Sequence, residues 1–565
     1  MKKTNIFLIL LCILVSLTNC ANLDFDERDA LDEELVFTGF SSQRNFLYNI
    51  YSSLPRMDNY LDRGAMLACV TDDAEYVNDF SAVQRFNSGN ITKFYNPDDQ
   101  WKNMYTGIRK CNLFLEKATI NTLDEYKTNN DPDRDGDQYY PKLIKSLEYQ
   151  RAEARFLRAF FYFELIKRYG GVPIIKDLGI DIGADEFNVH RDSFSDCLNF
   201  IISELNGVIP LLPVVHDNSD GLQSQTGRAT KGAAMALKSR ALLYAASPLF
   251  NTSGNTDLWR QAITAADDIL KSDLYSLESN YDDLFLKSNS TELILERRLA
   301  DSNNFERNNY PIGFDGGNTG TCPSQNLVDS YEMQSTGLGI HVVGSGYNEN
   351  DPYSGRDPRF YATINYNNAL WASRNIEIWQ GGKDAPPIQN ATKTGYYLKK
   401  YLNPNVKIGV GENIIQRHTF YVFRLGEIYL NYAEAMNEVH GPELDPDGLG
   451  MTALEAINVI RTRAGMPNIP NGLSKDAFRK RVINERRVEL AFENHRYWDV
   501  KRWKIANDVL NEDLLGMTIV KTGDNQFTYT RKVVEQRFFS DKMYLYPIPY
   551  SETVKTNLEQ NPGWE

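Results

Sequence analysis

A chain of 565 residues with 42% hydrophobic side chains has ample material for a large core, and that length permits about two to four domains. Its 61 basic and 75 acidic residues leave a net charge of −14, with no basic stretch to neutralise phosphates, which argues against a nucleic-acid partner. Six cysteines and six histidines stand too far apart for a CxxC pair or a zinc cluster, so no cofactor is required by their pattern.

The first predicted element is an export signal. Lys2 and Lys3 form a basic start, and Ile6 to Leu17 form an apolar run of about twelve residues. That is short of the roughly 20 needed to span a bilayer. Leu17-Thr18-Asn19-Cys20 follows and resembles the lipobox of bacterial lipoproteins. The resemblance implies a signal peptide over 1–19 and a covalent lipid on Cys20, whose thiolate is nucleophilic enough for the alkylation. Each buried methylene contributes about 0.8 kcal/mol, so more than one acyl chain makes a stable anchor. An ordinary signal peptide with an incidental cysteine is the competing reading, and no small-x-small cleavage site supports it. Residues 20–40 form a lipidated acidic tether with Asp24, Asp26, Glu27, Asp29, Asp32, Glu33 and Glu34, expected to stay solvated. The acidic run resembles the export signal of surface lipoproteins in glycan-degrading Gram-negative bacteria, although acidic linkers are common. The expected address is the cell outer membrane, lipid-anchored and facing the exterior.

Helical periodicity dominates 41–271. Tyr105, Ile108, Asn112 and Leu115 set a helix over Trp101 to Ala118, and a long one is predicted from Leu147 to Tyr169, stopped by Gly170-Gly171 and Pro173. A shorter helix from Ser193 to Leu205 is expected to close at Gly207 and Pro210. An Ala-rich helix over Lys231 to Ala246 pairs with another over Trp259 to Leu270. Such pairs suggest stacked helix-turn-helix units, although no fixed period of about 34 residues is visible. From 272 to 416 Gly, Asn, Pro and Tyr crowd together and periodicity fades, the texture of an irregular, functional insert. Helices return over 417–565, at Phe423 to Glu438, Ala453 to Arg463 and Asp476 to Asn494, before an extended, Pro-rich tail from Tyr544 to Glu565.

Six segments in this order resemble the SusD/RagB family: RAEARFLRAFFYFELIKRYGGVPII (Arg151 to Ile175), GRATKGAAMALKSRALLYAASP (Gly227 to Pro248), FRLGEIYLNYAEAMNE (Phe423 to Glu438), AINVIRTRAGMP (Ala456 to Pro467), ERRVELAFENHRYWDVKRW (Glu485 to Trp503) and LYPIPYSETVKTNLEQNPGW (Leu545 to Trp564). The resemblance implies a mainly α fold. In it a tetratricopeptide-like helix-pair scaffold, an α-α superhelix, carries a large irregular loop-rich insert, and 41–565 form one compact domain. It also implies a nutrient-binding lipoprotein seated on a TonB-dependent, SusC-like β-barrel transporter, with a glycan, alternatively a peptide, as ligand.

Three groups of residues are candidates for chemistry. Glu485, Arg486, Glu489, Glu493 and Arg496 fall at helical spacing on one predicted helix; paired acids suit a glycosidase, but acids interleaved with arginines suit an ion-pair network that fixes packing. Arg424, Glu427 and Glu434 read the same way, so no catalytic residue is assigned. Asp131, Asp133, Asp135 and Asp137, with Gly136, match the first half of a calcium loop, but Lys142 stands where the bidentate Glu belongs, so Ca²⁺ competes with a plain acidic loop. Sugar binding needs exposed rings beside polar groups. Trp371 and Trp379 are the preferred pair, with Tyr310 and Phe314 in the insert and Phe86, Phe94 and Tyr95 in the loop before the second helix; Trp101 falls on a helical repeat and is expected in the core.

Overall fold

The computed structural model describes residues 36–56, 60–127, 139–178, 189–216, 226–287, 289–409, 411 and 413–565. Among these residues, five of the longer helices begin at a polar side chain that satisfies a free backbone N–H group. After α1 (Phe40–Tyr51) come α2 (Trp101–Lys117), α3 (Tyr139–Tyr169), α4 (Phe194–Val208), α5 (Lys231–Ala246) and α6 (Thr256–Leu270). Ser193 Oγ accepts from Asp196 N at 3.0 Å to start α4, and Thr230 and Asn255 cap α5 and α6 in the same way. Each of these helices from α2 onward packs on the next, and α6 packs on α7 (Leu425–His440), which packs in turn on α8 (Ala453–Arg463) and α9 (Lys475–Glu489). The result is the expected tetratricopeptide-like series. Helix α5 is buried on nearly all sides and packs on α6; its buried alanines, and Ala262, Ala265 and Ala266 buried on α6, are small enough for the two backbones to approach.

Several boundaries differ from the periodic reading. Helix α3 starts at Tyr139 rather than Leu147, with Pro141 in the first turn where its missing N–H costs nothing. Helix α4 runs through Gly207 to Val208; glycine at that position leaves room for Arg155, whose Nη2 would lie 2.6 Å from a Cβ there and is bound to Glu204. Phe423 and Arg424 belong to a strand and not to α7. Helix α9 stops at Glu489, and Leu490 to Asn494 form a tight turn in which Phe492 and Asn494 take φ of 61° and 62°. Arg496 therefore starts a separate helix, α10 (Arg496–Arg502).

Between α6 and α7 the chain forms short strands, short helices and loops, and one of these strands pairs with a strand that precedes α2. β1 (Ala74–Tyr76), β2 (Leu293–Arg298), β3 (Thr321–Pro323) and β4 (Thr419–Arg424) make two antiparallel pairs, β1 with β3 and β2 with β4. A hairpin of β5 (Leu514–Gly523) and β6 (Gln526–Glu535) and a last helix α11 (Tyr550–Thr556) lie where no such elements were predicted.

One buried cluster joins these parts. Glu489 accepts from Arg424 Nη1 at 2.7 Å and Arg359 Nη1 at 2.9 Å, and also from Arg463 Nη2. Arg424 on β4 reaches Glu292 at 2.7 Å and Glu493 at 2.7 Å, while Glu485 takes Arg359 and Arg461, each at 2.7 Å. All of these side chains are buried, that of Arg463 at 5% exposure. Burial alone would raise the Glu489 carboxyl, but Arg463, Arg424 and Arg359 together hold it well below the usual carboxylate range. Glu427 pairs with Arg240 at 2.6 Å and Glu434 with Arg502 at 2.7 Å, so these acids also belong to packing. Because the folded pKa of Glu489 is depressed, its contribution is fully present above the unfolded value of about 4.3 and is lost as pH falls further. Glu489→Gln should therefore lower stability at neutral pH by about 3–5 kcal/mol and flatten the acid limb of a melting-temperature profile below about pH 4. Wild-type stability in this variant would show the cluster to be incidental.

Candidate functional site

The aromatic side chains that remain exposed among the described residues are Phe80 at 98%, Phe94 at 71%, Tyr95 at 52%, Phe538 at 54% and Tyr550 at 45%. Isolated exposed rings are a solubility liability, so their grouping asks for a reason. Backbone and ion-pair contacts bring the two chain segments that carry them together. Arg537 is buried and donates to Glu75 at 2.6 Å, to Glu535 at 2.8 Å and to the Ala74 carbonyl at 2.9 Å, and Phe538 N donates to the Asn87 carbonyl at 2.8 Å. Gly89 makes the approach possible, since a Cβ there would lie 2.3 Å from the Phe538 ring. Further along, Tyr550 N donates to the Lys93 carbonyl at 2.9 Å.

Phe94 is presented by a turn. Thr92 and Tyr95 exchange backbone bonds of 2.9 and 3.2 Å, and Thr92 Oγ1 accepts from Phe94 N and Tyr95 N at 3.3 and 3.1 Å. Its ring lies 4.8 Å from that of Tyr550, with Lys93 Nζ 5.8 Å from both, and Arg85 covers Tyr95 at 5.7 Å. Lys93, Phe94, Tyr95 and Tyr550, with Thr92, Asn96 and Asp99, line a cleft of about 270 Å³. Among the described residues the Asn96 Nδ2 has no hydrogen-bond partner. Beneath the face, burial pushes the Glu75 carboxyl up to about 7 against the pull of Arg537, and the neighbouring Glu535 adds to the rise. Asp98 fixes the following residues by accepting from Arg168 Nε at 3.1 Å and Tyr546 OH at 3.0 Å. Rings with amides, a carboxylate and an ammonium beside them can stack on sugar C–H faces and bond hydroxyls.

The other aromatics predicted for binding are placed differently. Trp371 is 3% exposed and packs edge-on against Tyr310 at 5.9 Å, and Tyr310, at 4%, donates its hydroxyl to the Asn403 carbonyl. Phe86 is also buried, edge-on to Tyr497 at 6.0 Å. These three are core residues, because loops without regular periodicity still need large rings to fill their interior. Phe314 is half-buried under the Arg374 guanidinium at 3.9 Å, and Trp379 is half-buried on Phe527 at 5.5 Å, so Trp371 and Trp379 form no exposed pair. Trp101 lies in the core as expected, at 5% exposure. Phe94 and Tyr95 are the predicted residues that reach the surface together. Tyr550 and Phe538 were missed: they follow segments that read as scaffold, and no local signal tells that the chain end returns to residues 87–95. Cys20 and Asp131, Asp133, Asp135 and Asp137 lie outside the described residues; among the described ones no group of three or more His, Cys, Asp or Glu is arranged for a metal. Glu485 and Glu489 are enclosed by arginines, and Glu493, which lines a small cavity of about 60 Å³, is held by Arg424 and Lys400, each at 2.7 Å.

Known proteins agree with this architecture. The SusD family model matches residues 291–564, and a model described as starch-binding and associating with the outer membrane matches residues 33–243. A SusD-like protein of Formosa agariphila is 24% identical over 549 residues, 91% of this chain and 92% of its own. The crystal structure of a SusD-like protein from Bacteroides fragilis superposes with a TM-score of 0.75 at 25% identity, over 95% of this chain and 99% of that one. A laminarin-binding SusD-like protein superposes with a TM-score of 0.61 at 22% identity, over 93% and 98%. With both halves matched in order and the helical series in place, the chain belongs to the SusD/RagB family.

Proposed function

We propose that this protein is a lipid-anchored, surface-exposed component of the outer membrane that captures an oligosaccharide or polysaccharide and hands it to a TonB-dependent β-barrel transporter without performing chemistry. The observation that carries the reading is the convergence of the exposed rings Phe94, Tyr95 and Tyr550 from the two ends of the chain onto one cleft. Family membership and the laminarin-binding neighbour support a glycan as ligand. The acids that could have served a glycosidase are neutralised inside the packing cluster, which supports capture without cleavage. Affinity of about −4 to −8 kcal/mol, millimolar to micromolar, suits capture followed by release.

Laminarin, the ligand named for one structural neighbour, is the first probe. Phe94→Ala with Tyr550→Ala should weaken glycan binding at least about tenfold, or about 1.4 kcal/mol, with the melting temperature unchanged. Trp371→Ala should instead cost about 3–5 kcal/mol of stability, because it opens a core cavity. Calorimetry with a panel of glycans and of oligopeptides, and thermal melts on the same samples, read both. Wild-type affinity in the double variant would dismiss the face, cleaved glycan in the product mixture would dismiss capture without chemistry, and binding of peptides alone would favour an oligopeptide receptor.

The anchor has its own test. Cys20→Ala should leave the protein unacylated, and either soluble or unprocessed, after cell fractionation. Continued partition with detergent-extracted outer membranes would contradict the lipoprotein reading.

A further inference from the structure

A second cleft opens where the β2–β4 ribbon ends, at the register pair Arg298 and Thr419. Its volume is about 280 Å³, and it shares no lining residue with the cleft at Phe94 and Tyr550. Two rings line it: Phe285 and Tyr401 stand edge to face with centroids 4.9 Å apart. Tyr401 is buried, and its hydroxyl has no hydrogen-bond partner among the described residues. A buried hydroxyl left without a partner is costly, and sites of this kind are where a ligand or water completes a network.

The polar wall excludes most ligand classes. Arg417 Nε lies 3.2 Å from Asp301 Oδ1, both about half exposed at 55% and 50%, and Arg298 lies 2.5 Å from Glu296. Each cation carries its own counter-charge, so a free anion or cation gains no unpaired partner. An apolar ligand would strip water from the guanidinium, carboxylate and amide groups of Arg417, Asp301 and Gln416 without replacing those bonds. A neutral polyol meets both demands: adjacent hydroxyls can accept from Arg417 and donate to Asp301, and a ring C–H face can lie on aromatic carbon. The wall is also held in place. Asn403 N donates to Glu306 at 3.1 Å, His418 contacts the same oxygen at 2.8 Å, and Asn403 Nδ2 donates to Gln416. At the low end of small-molecule pockets, about 300–1,000 Å³, the space fits one sugar ring and not a chain.

We propose that this cleft is a second carbohydrate site that takes a single neutral pyranose, such as a chain end or a branch. The proposal rests on the carbohydrate reading of the chain but not on the aromatic face. It is tested on the full mature protein by saturation-transfer NMR and calorimetry. The probes are the methyl glycosides of glucose, galactose, mannose and xylose, with glucuronate and glucosamine as charged counterparts. At least one neutral glycoside should bind in the millimolar range. Asp301→Asn with Arg417→Gln, both at half-exposed positions, should weaken that binding at least about tenfold at an unchanged melting temperature. Phe94→Ala with Tyr550→Ala should leave it as it was, even while laminarin binding falls. A crystal soaked with the bound glycoside should show its ring between Tyr401 and Arg417, which keeps the test decisive if the double variant does not fold. Binding of charged sugars alone, no binding of any neutral glycoside, or wild-type binding in the folded double variant overturns the proposal. Loss of monosaccharide binding in the aromatic-face variant would overturn it too, leaving one site instead of two.

Discussion

A carboxylate removed from water stays ionised only if cations surround it, and Glu489 meets that condition with three guanidinium groups drawn from three separate parts of the chain. Arg359 comes from the short helix in the irregular insert, Arg424 from β4 and Arg463 from the end of α8. Each arginine in turn needs its other donors satisfied, which draws in Asp357, Glu292, Glu485 and Glu493. The cluster is thus one geometric condition on the helical series, the ribbon and the insert together. A well-packed hydrophobic cluster could supply comparable stability, but it would not fix mutual position by directional bonds in the same way. The tight turn after α9 serves the condition directly: positive φ at Phe492 and Asn494 folds Glu493 back onto Arg424 and Lys400, both at 2.7 Å.

The exposed face inherits its position from the same helices. Arg487 on α9 and Arg496 on α10 hold Asp72 and Asp73, immediately before β1, at 2.7 to 2.9 Å. Arg537 then ties the chain end to Glu75 within β1. The rings that follow, Phe80 and Phe94 on one side and Phe538 and Tyr550 on the other, sit at the end of this succession of ion pairs. A ligand that stacks on two rings gains most when both are already in place, since ordering them at the moment of binding would subtract from a modest affinity.

How much of this was legible follows from what each feature depends on. The helices Lys231 to Ala246 and Ala453 to Arg463 have the predicted bounds because periodicity and N-caps are local properties. The packing role of Glu485 and Glu489 was legible from the arginines interleaved with them, but their actual partners were not: these are Arg359, Arg424, Arg461 and Arg463 from other elements, while Arg486 and Arg496 pair with Asp499 and Asp72. The turn at Leu490 to Asn494 was not, because Phe492 is a residue that rarely takes positive φ and does so only where tertiary bonds require it. The β5–β6 hairpin gave a weak signal because only the first part of β5 reaches the core; β6 alternates exposed and half-buried residues over Gln526 to Arg531 but buries none of them fully. Its partner contacts, such as Gln380 N to the Ile519 carbonyl, are more than a hundred residues apart.

The failed preference for Trp371 and Trp379 carries a more general argument. Aromatic residues among Asn, Asp and Gly look exposed because their neighbours are polar and helical periodicity is absent. Yet an irregular insert has no repeating apolar face from which to build an interior, so its few large rings must serve as that interior. Trp371 on Tyr310, and Tyr353 among Phe360, Tyr366 and Tyr529, are such small cores. Rings left over for a ligand are then those on turns whose shape is already set by backbone bonds, as at Thr92 to Tyr95, where no side chain is needed to fill space beneath. In this chain exposure follows from how a loop closes, and the richness of a loop in aromatics says only how much core it must make for itself.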